Sequence, residues 1–452
     1  MSSSTSQPQR SIPTEDRISI LPDSILCRIL SFLPTKLSAT TSILSKRWKP
    51  LWLSLLHLDF DVQSFIDFNT FRHVVYSVML SREVTLPIKS LRLKSCSEHV
   101  VNDINGFINA AMQRGIEYLD LEITTGKDFE LTLTPNIFSC KTLTVLKLKN
   151  LTVNKILTQV HFPLLKILHL DKVRFSCYED IFKFPLSSPI LEDFSVNDLQ
   201  LRPGGKFISE KFISETSKVK CLTNLVKASY SARQNIPLFL FTWAHILRIK
   251  LRCPHPFYKV HSLHNLTQLE LTFFSNNMDN IWSGKWKWML EVLQHSPKLQ
   301  HLTIHQRCPH LFYKVHTFHN LTQLELIFFG DNMDNIWCGK WKWMLEVLQH
   351  SPKLQHLTIH QEEENVGTYE AIWEDPEIVP QCLSSQLNTC LFRGCRGKKS
   401  ELQFVEYVMQ NSKVLRTMTI HSASSIDSNA KRQIKKLTVY RRSSSCCKLI
   451  FD

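Results

Sequence analysis

From Ile88 onward the chain repeats one pattern: an apolar residue, two of any kind, an apolar residue, one of any kind, and a third apolar residue. It occurs as Ile88-Leu91-Leu93, Ile116-Leu119-Leu121, Leu143-Leu146-Leu148, Leu165-Leu168-Leu170 and Leu191-Phe194-Val196, with first residues 28, 27, 22 and 26 apart. Residues two apart share one face of a strand, so each match implies a short strand with one buried side. A unit of this length cannot bury that side alone. The regular spacing means that neighbouring units bury it for one another in a stack.

The pattern fades between about Leu199 and Pro237, where one divergent unit fits at no clear position. It returns as Ala244-Leu247-Ile249, Leu266-Leu269-Leu271 and Leu299-Leu302-Ile304. Cys253 to Gln306 then recurs as Cys308 to Gln361, offset by 55 residues and with seven differences. Each copy holds two strands joined by a helix, at Trp286 to Leu293 and at its twin from Trp341. A stack absorbs such an insertion by growing longer, where a closed core would break. The spacing resembles that of leucine-rich repeats, which implies an α/β fold with a repeat solenoid over 88–361 and a curved parallel sheet.

With 452 residues, 43% of them hydrophobic, the chain has apolar surface for two or three domains or one long array. Eleven glycines, and neither GxGxxG nor GxxxxGK[ST], speak against a phosphate-binding loop, and no cofactor is expected. Met1 to Glu15 reads as a polar, disordered leader without the apolar core of a signal peptide. The longest apolar-rich run, Ile236 to Leu247, is too short to span a bilayer, so no membrane partner is expected. Thirteen cysteines without a CxxC pair fit reduced thiols, and hence an intracellular protein of the cytoplasm and/or nucleus. The net charge is +14, and thirteen Lys or Arg face four acids between Arg393 and Asp452. No nucleic-acid motif accompanies these basic clusters, so they read as solvated surface and nucleic acid is disfavoured as a partner.

Before the repeats, Leu21 to Trp52 pairs a short helix, opened by Pro22-Asp23 and ended by Pro34, with a segment closing on Ser45-Lys46-Arg47-Trp48. Ile25, Ile29 and Phe32 form one apolar stripe, and Leu26, Leu30 and Leu33 an adjoining one. One short helix cannot hide both, which suits helix-in-groove recognition of a partner. The stretch resembles the F-box of plant F-box proteins, over about 16–61. That resemblance implies docking on a Skp-type adaptor, and through it on a cullin ligase. The adaptor-facing positions it implies are Leu21, Pro22, Ile25, Leu26, Ile29, Leu30, Phe32, Leu33, Pro34, Leu44, Ser45, Arg47 and Trp48. One departure is Leu37, where the family usually has an acidic residue that helps start the next helix; its loss is worth at most about 1 kcal/mol. A helical connector is expected over 62–87, with Phe65, Phe68, Phe71 and Val75 on one buried face.

Beyond the repeats come an acidic connector (362–372) and a segment over 373–452 marked by Trp373, Pro376, Val379-Pro380, Cys382-Leu383, Gly397, Glu401, Tyr407, Asn411, Leu415 and Cys446 to Phe451. It resembles the FBD domain of many plant F-box proteins. Strands are expected at Leu387 to Phe392 and Leu415 to Ile420, with a helix from about Ser400 to Gln410.

Two sets of residues bear on chemistry. Cys253, His255, His261 and His264, repeated as Cys308, His310, His316 and His319, have zinc-ligand types but match no common zinc spacing, so no metal is expected. No cysteine is coupled to a His base, so no thioester nucleophile is expected either. The resemblance therefore implies a non-catalytic substrate-recognition subunit of an SCF-type ubiquitin ligase, binding an unidentified protein substrate. The competing reading is a non-ligase repeat scaffold or nucleic-acid-associated protein using its basic C-terminus. In each repeat strand, the residues between the buried leucines face the opposite side. That face is expected to carry Tyr118, Asp120, Lys147, His169 and Asp171, then Gln268, Glu270, His301, His305, Gln323, Glu325, His356 and His360. It is a mixed polar surface suited to a polypeptide substrate, with loops or the FBD as the alternative contact.

Overall fold

The apolar pattern becomes strand in both of the compact units, residues 1–129 and 130–452, into which the chain divides. The computed structural model describes residues 16–95, 101–124, 133–154, 156–157, 159–206, 222–232, 238–251, 262–273, 281–306, 317–328, 340–362, 373–424 and 426–452. The expected leader and nearly all of the acidic connector lie outside them.

In the first unit, helices α1 (Asp23–Leu30), α2 (Thr35–Thr40) and α3 (Trp48–Leu53) precede strand β1 (His57–Asp61). Helix α4 (Phe68–Ser81), β2 (Ser90–Ser95), α5 (Val101–Gln113) and β3 (Tyr118–Ile123) follow. The strands run parallel in the order β1-β2-β3 and align Leu58 with Leu91 and Leu119, and Phe60 with Leu93 and Leu121. All six side chains are buried. The sheet thus begins one rung earlier than Ile88, within the span expected for the N-terminal module. Asp67 caps α4 by accepting from Thr70 N at 2.7 Å, so Phe65 precedes the helix rather than joining its face. Phe71 and Val75 are buried, and Phe65 packs edge-on against Phe71 at 5.5 Å. The module is tied to the sheet by Asp59 N, which donates to Thr35 Oγ1 at 2.8 Å.

The second unit holds β4 (Val145–Lys149), β5 (Thr152–Val153), β6 (Ile167–Asp171), β7 (Arg174–Cys177), α6 (Tyr178–Leu186), β8 (Asp193–Lys206), β9 (Lys227–Ala232), β10 (Ile246–Leu251) and β11 (Gln268–Phe273). Next come α7 (Ile281–Gln294), β12 (His301–Gln306), β13 (Gln323–Phe328), α8 (Lys340–Gln349) and β14 (His356–Gln361). Its main sheet is open and parallel, in the order β4-β6-β8-β9-β10-β11-β12-β13-β14. Asn150 and Lys172 follow β4 and β6, and Asp198 lies within β8, each in the left-handed region (φ 57°, 51° and 48°). There the chain turns into a second short ladder, β5-β7-β8. The first apolar residue of each match lies two positions before its strand and is buried beneath it, as Leu143, Leu165 and Leu299 are. The unit that the sequence left unplaced is β9, with Leu225, Ala228 and Tyr230 buried. Its small and aromatic residues hid it from a pattern written for aliphatic ones.

The C-terminal segment continues this sheet. After α9 (Gln381–Ser385), β15 (Thr389–Cys395) pairs in parallel with β14, β16 (Thr417–Ser422) pairs with β15, and β17 (Lys448–Phe451) pairs with β16. Both expected strands start two residues late, because Leu387 and Leu415 are the buried residues ahead of the strand. Helices α10 (Lys399–Asn411) and α11 (Ser428–Lys436) complete the segment.

The junction between repeats and C-terminal segment is built on the second copy of the duplication. Trp341 stacks on Phe404 at 4.9 Å, and Trp373 packs against Trp341, Phe404 and Tyr407. Beside them Lys340 is buried. Gln361, its amide oriented to satisfy both neighbours, accepts from Lys340 Nζ at 2.6 Å and donates to Glu401 Oε1 at 3.0 Å. Glu401 Oε2 also accepts from Arg396 N and Lys398 N at 2.8 and 3.1 Å. At Gly394 (φ +73°) a Cβ would lie 2.1 Å from Gln361 O, so only glycine lets β15 pass this close.

Two outcomes follow. Deleting Cys308 to Gln361 brings the first copy's Lys285, Trp286 and Gln306 to within one residue of the sequence positions of Lys340, Trp341 and Gln361, with Arg307 left between Gln306 and Glu362. We expect a shorter protein that unfolds in one cooperative transition, measured by circular dichroism; aggregation or lost strand signal would show that the copies are not interchangeable. Burial, against the attraction of Glu401, lowers the Lys340 pKa from 10.5 to about 7. The unfolded chain therefore binds the extra proton above pH 7, and stability rises with pH from there. The rise ends near pH 9, because burial pushes the Cys382 and Cys390 thiols up to about 12 and the unfolded thiols ionise first. Thermal unfolding of Lys340→Met should lack the rise between pH 7 and 9.

Candidate docking face and strand-face groove

The N-terminal module sorts its two apolar stripes by direction. Leu26 and Leu30 turn inward and, with Trp48, Leu51 and Leu55, form its core, against which Leu21, Cys27 and Trp52 pack. Leu26 is wholly buried. Ile25 and Ile29 remain 44% exposed and Phe32 78%. Three of the positions expected to face an adaptor, Leu26, Leu30 and Trp48, are therefore core residues of the module itself, because α1 needs one stripe to hold α3. Arg47 is likewise engaged internally. Its guanidinium donates to Asp23 Oδ1, to Ser19 O at 2.7 Å and to Leu21 O at 2.6 Å, fastening the entering chain to the start of α3. Ser38 Oγ donates to Leu30 O at 3.0 Å, and Trp52 Nε1 donates to Ser42 Oγ at 2.8 Å.

What stays outside is a cluster close in sequence. Leu33, Leu44, Pro22, Pro34 and Ser45 are exposed, as expected for positions outside a core. Ile18, Ile20, Leu37 and Ile43 are also exposed, Ile43 at 87%, and the sequence reading did not place them on this face. Leu37 was legible as a departure from the family's acidic residue, and its exposure makes it part of the apolar surface. So many large exposed apolar groups in one small module mark an interaction surface.

In the second unit, the side chains between the buried leucines line one face of the sheet. Over β10 to β14 they bound a groove of about 410 Å³. It brings together Gln268, Glu270, His301, Gln323, Glu325 and His356 with Arg248, Thr303 and Thr358. The last three were missed, although Arg248 lies between Leu247 and Ile249 and the same alternation would have named it. His305 and His360 lie one step further along their strands, outside the groove lining. His305 Nε2 meets Glu270 Oε1 at 3.3 Å, and Arg248 Nε meets Glu270 Oε2 at 3.0 Å. The hydrogen bond from His305, with the nearby cations, holds the Glu270 carboxyl below its ordinary range despite burial. Burial and the neighbouring His356 lower the His301 pKa, so His301 stays neutral further into the acid range than an ordinary histidine. His356 Nδ1 is 2.8 Å from Thr389 Oγ1.

The earlier members of the expected face are elsewhere and mostly committed to neighbours. Tyr118 Oη donates to Asp120 Oδ2 at 3.3 Å, both in the first unit. His169 Nε2 lies 3.3 Å from Asp193 Oδ1, and Asp171 accepts from Asn197 Nδ2 at 2.8 Å. Lys147 is half-buried on β4. Of the zinc-type residues, Cys253, His255, His261, Cys308, His310 and His316 lie outside the described residues, while His264 and His319 are exposed. Among the described residues no helix is long and apolar enough to cross a membrane.

Comparison with known proteins places both ends of the chain. The F-box domain family model matches residues 18–58, and the FBD model matches residues 374–420. The architecture is thus that of an F-box protein: an N-terminal F-box, an open parallel α/β sheet and a C-terminal FBD. An FBD-associated F-box protein of Arabidopsis thaliana is 30% identical over 416 residues, covering 90% of this chain and 91% of the relative. An F-box/FBD/LRR-repeat protein of the same plant is 27% identical over 464 residues, covering 97% of this chain and 100% of the relative. The chain belongs to the FBD-associated F-box protein family.

Core and surface stripes should separate on mutation. Leu26→Ala is expected to cost the F-box about 2 to 5 kcal/mol, whereas Ile29→Asp and Phe32→Asp should change its stability by less than about 0.5 kcal/mol. Hydrogen exchange over residues 23–53 reads both.

Proposed function

We propose that this chain is the substrate-recognition subunit of an SCF-type E3 ubiquitin ligase. Its F-box docks on a Skp-type adaptor, and through it on a cullin. The observation that carries this reading is the exposed apolar face around Ile25, Ile29 and Phe32 on a module whose core is already complete. Surface of that kind is stabilised only by a partner, and an F-box is generally an adaptor-binding module. Pro22, Leu33, Pro34, Leu44 and Ser45 border or extend the face, with Ile18, Ile20, Leu37 and Ile43 added to it.

The parallel sheets of the two units, with helices between strands and a rung every few tens of residues, are in this reading leucine-rich repeats over about residues 88–361, followed by the FBD over 373–452. The polar strand face of the second unit is the proposed substrate surface. The chain contributes proximity rather than chemistry, since F-box proteins are typically non-catalytic and the transferring enzyme is supplied by the complex.

The test is co-purification with a Skp-type adaptor. Each buried Ile or Phe anchor is worth about 1.5 to 3 kcal/mol. Ile29→Asp with Phe32→Asp should therefore weaken capture by at least two orders of magnitude. Undiminished capture by the double variant would overturn the docking face. Exposed Lys431, Arg432, Lys435 and Lys436 on α11 favour the rival, nucleic-acid reading; strongly salt-dependent retention on nucleic acid without adaptor capture would support it instead.

A further inference from the structure

Most polar side chains on the strand faces already have protein partners. Arg92 lies between Asp59 and Asp120, at 3.4 and 3.8 Å, and Lys94 pairs with Asp61 at 3.5 Å. The groove over β10 to β14 departs from this in its centre. Glu325 sits on β13 with Thr303 beside it on β12 and Thr358 on β14. One step back along the strands lie His301 and Gln323. Among the described residues, none of these five side chains has a hydrogen bond or ion pair, although all but Gln323 are half-buried. Half-buried polar groups without a protein partner keep their hydrogen-bonding capacity for a ligand, and here several of them converge on one groove.

The sign of the ligand follows from the charges. Glu270, which is Glu325's counterpart in the first copy of the duplication, is met by the guanidinium of Arg248 at 3.0 Å. That pair shows what a carboxylate on this row of the sheet accepts. Among the described residues no Lys or Arg other than Arg248 lines the groove, and Arg248 is already engaged. The free charge in the groove is therefore negative, on a chain whose net charge is +14. An anionic ligand would face Glu325 with nothing to offset it. The five strands span roughly 19 Å at about 4.8 Å spacing, the length of five to six residues of extended chain at about 3.3 Å each.

We propose that this groove selects an extended polypeptide segment that sets a Lys or Arg side chain against Glu325. The hydroxyls of Thr303 and Thr358 flank that side chain, and Gln323 and His301 hydrogen-bond the backbone of the segment. The proposal rests on the reading of this face as the substrate surface, and it adds the class of substrate.

The probe is a positional-scanning library of nonapeptides presented to the full-length chain and to its Glu325→Gln and Glu325→Lys variants. All three proteins are checked for equal thermal unfolding and equal adaptor capture. The parent should enrich Lys or Arg at one central position by about tenfold, an increment of about 1.4 kcal/mol. Glu325→Gln should abolish the preference, and Glu325→Lys should reverse it toward Asp or Glu. The proposal is overturned if the parent selects no residue, selects acidic or apolar ones, or keeps its preference in Glu325→Gln. Selection of nothing but free spermidine, added as competitor, would overturn it in favour of a small-cation site. Loss of adaptor capture with the peptide preference intact would sink the ligase reading and leave this one standing.

Discussion

Each strand in these sheets presents two apolar side chains that it cannot bury on its own, and parallel pairing in strict register supplies the cover. Leu58, Leu91 and Leu119 align in the first unit, and Leu269, Leu302, Leu324 and Leu357 in the second. Because each rung needs only its neighbours, a stretch of 54 residues could be copied without disturbing what lay before it. The same dependence makes the C-terminal segment part of the fold. Its three strands continue the ladder from β14, and its aromatic and polar contacts fall on the last repeat helix.

The F-box solves a different problem with the same residue types. Three short helices are too few to bury two apolar stripes, so one stripe holds the module together and the other stays exposed. Arg47 and Thr35 supply the polar fastening that lets so small a core keep its shape and its junction with β1. The surface that meets the adaptor in our reading is therefore backed by a complete core.

On the polar side of the second sheet, register decides chemistry. Pairing sets Arg248 beside Glu270, and at the next acidic residue two strands on it sets only threonines beside Glu325. The two acidic residues come from near-identical sequence, yet Glu270 is met by a guanidinium and Glu325, among the described residues, is not. A duplicated segment can acquire a distinct role in this way, through the neighbours it is given rather than through substitutions of its own.

Much of this was legible in the residues. The spacing of leucines located the strands, Pro22 marked the start of α1, and the two end motifs named the family, because each is a local pattern with a local physical cause; α1 ends at Leu30, and Pro34 begins α2 rather than ending α1. Three things were not. Leu26 and Ile29 look equivalent in a helix of apolar stripes, and only the packing of α3 decided which is core and which is surface. Rung β9, built on Ala228 and Tyr230, was recognisable only once its neighbours fixed its register. The strand neighbours of Glu270 and Glu325 lie 22 or 33 residues away along the chain, and no local pattern reports what strand pairing brings alongside. The sequence determined which residues would be buried in rows; the tertiary structure decided what each row would place next to what, since register is a property of pairs of strands and not of any one of them.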